Sequence, residues 1–237
     1  MITSLICAMA LQNQSEVVAQ LPPMETKTLL VFVKGKTDRT VFTPEKLQEM
    51  QQAHLDNLGR LYKEKKAPAA GPLGGDSELR GIVILDLPKE KVAEEFKEDP
   101  FVAGGLLDLQ LHTWYQPKGM YAWPNTENFE LGEYVFVWVT MSPGAPRLTA
   151  DAAAKYQKQH VERNFALMRQ GIVATCGPLM EGEEWRGIYI FNGGDINKVK
   201  AVMKDDPLVK IGHLDVEYRQ LWMGKGLFKK FTWKPDK

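Results

Sequence analysis

The sequence predicts an α+β fold made of two copies of one unit, and three observations carry that expectation. The stretch HLDNLGRLYKEKKAPAAGPL, His54 to Leu73, returns as HVERNFALMRQGIVATCGPL, His160 to Leu179, 106 residues further on. The same spacing pairs Arg80-Gly81-Ile82 with Arg186-Gly187-Ile188 and, after one inserted residue, Asp99-Pro100 with Asp206-Pro207; upstream it pairs Val31 with Val137, Val33 with Val139 and Thr43 with Thr149. Finally, the repeat is too long for a solenoid module, whose units run roughly 20 to 50 residues. Each half is a small domain in its own right.

The elements read in the same order in each copy. Thr28 to Gly35 (TLLVFVKG) and Tyr134 to Thr140 (YVFVWVT) are β-branched and aromatic runs, apolar enough to lie in the middle of a sheet. Thr43-Pro44 opens a helix with a capping hydroxyl and a proline in the first turn. Leu47, Met50, His54, Leu58 and Leu61 follow at helical spacing, which puts His54 on the apolar face; Ala153, Tyr156, His160 and Leu167 repeat the stripe. Ala67 to Leu73 and Gly81 to Leu85 read as a hairpin about Gly74-Gly75-Asp76. Val92, Ala93 and Phe96, copied as Val199, Val202 and Met203, mark a shorter helix ending before the Asp-Pro pair. Leu107, Leu109 and Leu111, matched by Leu214, Val216 and Tyr218, alternate in a last strand.

The order βαββαβ is a ferredoxin-like split unit with both helices on one face of an antiparallel sheet. Such a unit leaves an apolar sheet face bare, and the other copy offers an equivalent surface to cover it. An intrachain pseudo-dimeric α+β barrel follows, with repeats at 28–116 and 134–223. The connector 117–133 holds Tyr121, Trp123 and Phe129, which suit a packed strap better than a loose linker. The tail 224–237 is basic, with Phe228, Phe231 and Trp233 interleaved, and reads as a last strand or strap with solvated lysines.

Composition narrows the function classes. Thirty basic residues balance thirty acidic ones, so no net field draws in nucleic acid or an anionic membrane, and no apolar run reaches the ~18 to 20 residues of a membrane span. Residues 1–27 read as a flexible lead-in. Its start, MITSLICAMA, ends in a small-x-small pattern like a signal-peptidase site but lacks a basic n-region; a truncated export signal is set against an ordinary floppy terminus, and export is the expectation. Cys7 and Cys176 make no disulfide framework. Cys176 stands where the first copy has Ala70, which argues for a small buried residue rather than a nucleophile.

A helix histidine, a Gly-Pro-Leu closing the next strand, a Gly-hydrophobic strand and then Asp-Pro-Phe resemble the YciI-like (YCII-related) family of the dimeric α+β barrel superfamily. The resemblance covers about 28–115 and 134–222. The first copy keeps Asp99-Pro100-Phe101, whereas the second has Asp206-Pro207-Leu208. Family members usually hold one such domain and pair as homodimers, so the resemblance implies a covalently linked pair; whether that unit forms a further homo-oligomer stays open.

The resemblance also implies that the Asp-Pro aspartate partners the histidine, giving His54 with Asp99 and His160 with Asp206. A carboxylate fixes an imidazole's tautomer and raises its basicity, and such a dyad exchanges protons near neutral pH. The plainer readings stand beside this one: Asp before Pro is also a helix N-cap, and a histidine on an apolar face is more often a satisfied core residue. Arg80 and Arg186, at matching positions before a strand, suit a substrate carboxylate or phenolate, or are exposed hairpin arginines.

Four scattered histidines without HxxxH or CxxC spacing give no readable metal site. With no phosphate loop, dinucleotide fingerprint or Gly-x-Ser-x-Gly, the expectation is cofactor-independent chemistry on a small molecule. Elimination or isomerisation through the His-Asp dyads leads, since dehydrochlorination-type elimination is known among relatives. A non-catalytic ligand-binding barrel is one alternative. A cofactor-free monooxygenase or haem-handling relative on the same barrel is another, resting on fold analogy.

Overall fold

A computed structural model of the chain describes residues 21–75, 77–125, 130–181 and 185–235. The expected export signal falls within residues 1–20 and lies outside the described residues. The first half runs β1 (Met24–Lys34), a 3₁₀ turn (Arg39–Val41), α1 (Pro44–Lys63), β2 (Ala69–Pro72), β3 (Leu79–Leu85), α2 (Lys89–Phe96), α3 (Pro100–Ala103) and β4 (Leu107–Pro117). The second runs β5 (Leu131–Met141), α4 (Ala150–Arg169), β6 (Val173–Pro178), β7 (Trp185–Asn192), α5 (Ile196–Lys204), α6 (Pro207–Lys210) and β8 (Leu214–Gly224).

Local chemistry sets the helix starts. Thr43 Oγ1 accepts the Lys46 N–H at 3.2 Å and Thr149 Oγ1 the Ala152 N–H at 3.3 Å, so each long helix begins at a capping hydroxyl. Each half builds a four-stranded antiparallel sheet, in the orders β2-β3-β1-β4 and β6-β7-β5-β8. The apolar strands β1 and β5 are therefore flanked on both sides.

The register corrects one detail of the repeat. Trp114 of β4 pairs with Lys27 of β1, and Leu221 of β8 with Tyr134 of β5, so β1 and β5 correspond at a spacing of 107 residues rather than 106. Val31 thus matches Trp138, not Val137. One residue fewer separates β5 from α4 than β1 from α1, and β7 is one residue longer than β3. The spacing drops to 106 through the long helix and hairpin, then recovers.

The faces of the first sheet are separated by this register. Leu30, Phe32, Val83 and Leu85 pack with Leu61, Val92 and Phe96 from its helices. On the other face, Leu29, Val31, Ile82, Ile84 and Trp114 share one core with Phe136, Trp138, Ile188 and Ile190 from the second half. Ala153, expected on the apolar stripe of the second helix, is exposed; Phe165 and Met168 are buried on that helix beside Leu167.

The two sheets also meet edge to edge. Gly74 N–H donates to Gln220 O and Met180 N–H to Thr113 O, both at 2.8 Å, and bridges join Leu73 to Leu221 and Trp114 to Leu179. Gly71 and Gly177 explain the Gly-Pro-Leu motif: a Cβ at either would sit 1.9 Å from a carbonyl oxygen of the opposite half, Trp222 or Tyr115. Connector and tail also bond to each other. Tyr121 bridges to Phe228, its counterpart at a spacing of 107, while Ala122 N–H donates to Leu227 O and Lys229 N–H to Met120 O.

Candidate active site

The two dyads form. His54, on the sheet-facing side of α1, donates from Nδ1 to Asp99 Oδ2 at 2.8 Å; His160, on α4, does the same to Asp206 Oδ2 at 2.8 Å. An ionised carboxylate only accepts, so the Nδ1–H tautomer is set in both halves. Each aspartate does a second job through its other oxygen. Asp99 Oδ1 accepts the Phe101 N–H at 3.1 Å, and Asp206 Oδ1 accepts the Leu208 N–H at 3.0 Å, capping α3 and α6. The capping and partnering readings of the aspartates therefore coexist.

Burial raises the carboxyl pKa of Asp99, but the hydrogen bond and charge of His54, with help from Asn57 and the Phe101 N–H, outweigh it, and the net shift is downward. At Asp206 the opposition is the same, with burial outweighed by His160, the Leu208 N–H and Arg163. Both aspartates are held ionised.

The surroundings of the two imidazoles differ. His54 is 7% exposed, with Phe32 edge-on at 5.2 Å between ring centroids and Phe101 tilted at 5.2 Å. Its Nε2 makes no hydrogen bond to any described residue. In the second half, Asn164 Nδ2 donates to His160 Nε2 at 3.1 Å, and the Tyr189 hydroxyl lies 3.3 Å from that nitrogen while donating to Asn164 Oδ1 at 3.1 Å. Burial pushes the Tyr189 phenol well above its ordinary pKa, so it stays protonated. In the first half Leu58 and Val83 stand where Asn164 and Tyr189 stand in the second. Phe32 faces His54 where Val139 stands.

A third residue joins each dyad. Asn57 donates to Glu95 O at 3.2 Å and to Asp99 Oδ2 at 3.3 Å. Its counterpart Arg163 donates to Val202 O and lies 3.7 Å from Asp206 Oδ2. Sequence reading missed Asn57, Arg163, Asn164 and Tyr189 because none is repeated in kind.

A groove of about 440 Å³ reaches Asp99 of the first dyad, lined by Ala53, Asn57, Arg60, Glu94, Glu95, Lys97, Glu98, Asp99 and Pro100; His54 lies behind Asp99 and is not part of its lining. Arg80 and Arg186 are elsewhere: Arg80 donates to Ser77 O in its own turn, Arg186 is exposed, and neither lines this groove. Burial pushes the Cys176 thiol up to about 12, which makes it a poor nucleophile. Among the described residues no group of three or more His, Cys, Asp or Glu could hold a metal ion, and no helix is long and apolar enough to cross a membrane.

No family model matches the sequence, and neither does any curated protein. Solved structures do match in fold. A haem-binding protein from Thermus thermophilus superposes with TM-score 0.52 at 14% identity, covering 88% of this chain and 95% of its own. Chlorite dismutase from Candidatus Nitrospira defluvii in complex with imidazole gives 0.55 at 11% identity over 84% and 91%, and a point variant of that enzyme gives 0.55 at 10% over 83% and 90%. At such identities the likeness is one of fold.

Proposed function

We propose that the halves close one intrachain pseudo-dimeric barrel and that the first half carries a small-molecule acid/base site, with His54 as the proton-exchanging group and Asp99 as its positioning partner. The observation that carries this reading is the difference at Nε2. A neutral Nδ1–H imidazole offers one lone pair, at Nε2, for a substrate proton. At His160 that lone pair already accepts the Asn164 amide, with the Tyr189 hydroxyl 3.3 Å away; at His54 no described residue uses it. The YciI-like resemblance supplies the reaction class, elimination or isomerisation, and Asp99 and Asn57 reach the groove where a substrate would lie. The groove's acidic side chains outnumber Arg60 and Lys97, which favours a neutral or cationic substrate.

Diethyl pyrocarbonate, which acylates accessible unprotonated imidazole nitrogens, tests this without a known substrate. His54 should react ahead of His160, as mapped by mass spectrometry, although its side chain is the less exposed of the two, 9% against 15%. The reverse order would remove the reading. In a turnover screen of enolisable and aromatic compounds, any activity found should be lost in His54→Asn and kept in folded His160→Asn.

The fold neighbours favour a second reading, a haem-handling relative. Haem iron is commonly held by a histidine whose other N–H is given to a carboxylate or carbonyl, and both His54–Asp99 and His160–Asp206 have that second hydrogen bond. At His160 the nitrogen that would face iron instead accepts the Asn164 amide beneath the Tyr189 hydroxyl, so the residues there do not fit a porphyrin. Titration with haemin should give no Soret band that depends on His160. A band lost in His160→Asn would replace the acid/base reading with this one.

A further inference from the structure

The two edges along which the halves meet are built from equivalent residues, but one edge is polar where the other is apolar. Where β4 meets β6, Gln116 Oε1 accepts the hydroxyls of Thr175 and Tyr121, both at 2.9 Å, and Trp114 Nε1 donates to Gly177 O at 3.2 Å. Gln116 and Thr175 are fully buried and Tyr121 is 5% exposed. Where β8 meets β2, the corresponding positions hold Met223, Ala69, Phe228 and Leu221, all of them apolar. The correspondence follows from register: Gln116 pairs with Glu25 and Met223 with Gly132, while Ala69 pairs with Ile84 and Thr175 with Ile190. The backbone geometry agrees, since Gly177 abuts Tyr115 and Gln116 as Gly71 abuts Trp222 and Met223.

We propose that this polar seam makes the surface of each half selective for the unlike half, so that a first half rejects a second first half as a partner. Two first halves joined through the same edges would set Gln116 against Ala69 and take the Thr175 hydroxyl from it. Two second halves would bury the Thr175 hydroxyl against Met223. A pairing of two second halves strands the Thr175 hydroxyl and a pairing of two first halves costs Gln116 Oε1 one of its two donors, whereas the unlike pairing keeps all three groups together, so selectivity comes from the penalty on the wrong partner. Stability alone does not account for the glutamine: its Nε2 is buried with no hydrogen-bond partner among the described residues, an arm that methionine at the other seam does without. A buried polar contact that costs stability and fixes pairing is an attested use of such groups.

The test is made in the intact chain, where either seam can be given the wrong or the right set. Met223→Gln places a glutamine against Ala69, as a like pairing of first halves would, and beside Phe228, which has no hydroxyl to give it. It should lower Tm by roughly 4–8 °C. Adding Ala69→Thr and Phe228→Tyr supplies the missing hydroxyls and should recover most of that loss. At the other seam, Gln116→Met alone strands two hydroxyls and should fall by a similar amount, whereas Gln116→Met with Thr175→Ala and Tyr121→Phe should recover. Matched seams more stable than mismatched ones support the proposal, including the case in which a single variant fails to fold and its matched triple folds. Matched triples no more stable than the single variants at both seams would overturn it.

Discussion

At the scale of single residues, the two histidines show how neighbours decide what one side chain does. The same imidazole with the same carboxylate is left with an open lone pair beside Leu58 and Val83, and is closed by Asn164 and Tyr189. His160→Asn should therefore act through stability: it leaves Asp206 buried without its main partner and should cost about 1–3 kcal/mol, read from urea unfolding. The repeat made His54, Asp99, His160 and Asp206 legible in the sequence, because like residues recur at fixed spacing. The differences that separate the halves were not legible, since a repeat search highlights only what is shared. Another residue invisible in the sequence is Glu181, whose counterpart is Gly75. It accepts the Thr113 N–H at 2.8 Å and the Thr113 hydroxyl, and pairs with Lys89 across the halves. Burial opposes ionisation there, but the hydrogen bonds from Lys89 and Thr113 win and hold its pKa at about 2 against an ordinary 4.5. A depressed carboxyl stabilises the fold above its unfolded pKa and loses that contribution as pH falls through the folded value. Stability measured from about pH 5 down to about pH 2 should thus fall less steeply in Glu181→Gln than in the parent; equal slopes would show that the contact contributes nothing.

At the scale of elements, the strands explain both what the sequence showed and what it hid. Strand existence was plain from the β-branched runs, and the hairpin from its glycines. The register between copies was not, because the interiors of TLLVFVK and YVFVWVT are unbroken apolar runs, and a pattern without alternation cannot say which residues face which side. The one-residue slip matters physically: it exchanges the core-facing Trp138 for the helix-facing Val137 as the match of Val31. The Gly-Pro-Leu motif was visible as a repeated string, but its reason lies in the other half of the chain. Gly71→Ala and Gly177→Ala should each cost about 3 kcal/mol or more, since the opposing atom is a backbone oxygen that cannot rotate away. Denaturant midpoints of the two variants check this, and the costs should be alike because both glycines meet the same barrier at 1.9 Å.

At the scale of the whole molecule, the shared core decides whether two copies make two domains or one. Separate domains would each keep a core beneath their own helices and meet through a polar, solvated surface. Here Leu29, Val31, Ile82 and Ile84 of the first sheet are fully or almost fully buried in the same cluster as Phe136, Ile188 and Ile190 of the second. Neither sheet can lose its partner without exposing that face to water, at roughly 25 cal/mol for each Å² of apolar surface uncovered. The two straps add to the coupling, since connector and tail bond to each other about Tyr121 and Phe228 while reaching back to opposite helices. Trp123 packs on Tyr62 of α1 at 5.2 Å, and Trp233 on Phe165 of α4 at 5.6 Å. The halves should consequently unfold together, in one calorimetric transition whose van't Hoff enthalpy equals its calorimetric enthalpy. Ala substitution at Phe136 should lower that single transition without splitting it. Two transitions, with only one of them moved by the substitution, would mean that the halves stand independently and that the faces they share contribute little to either.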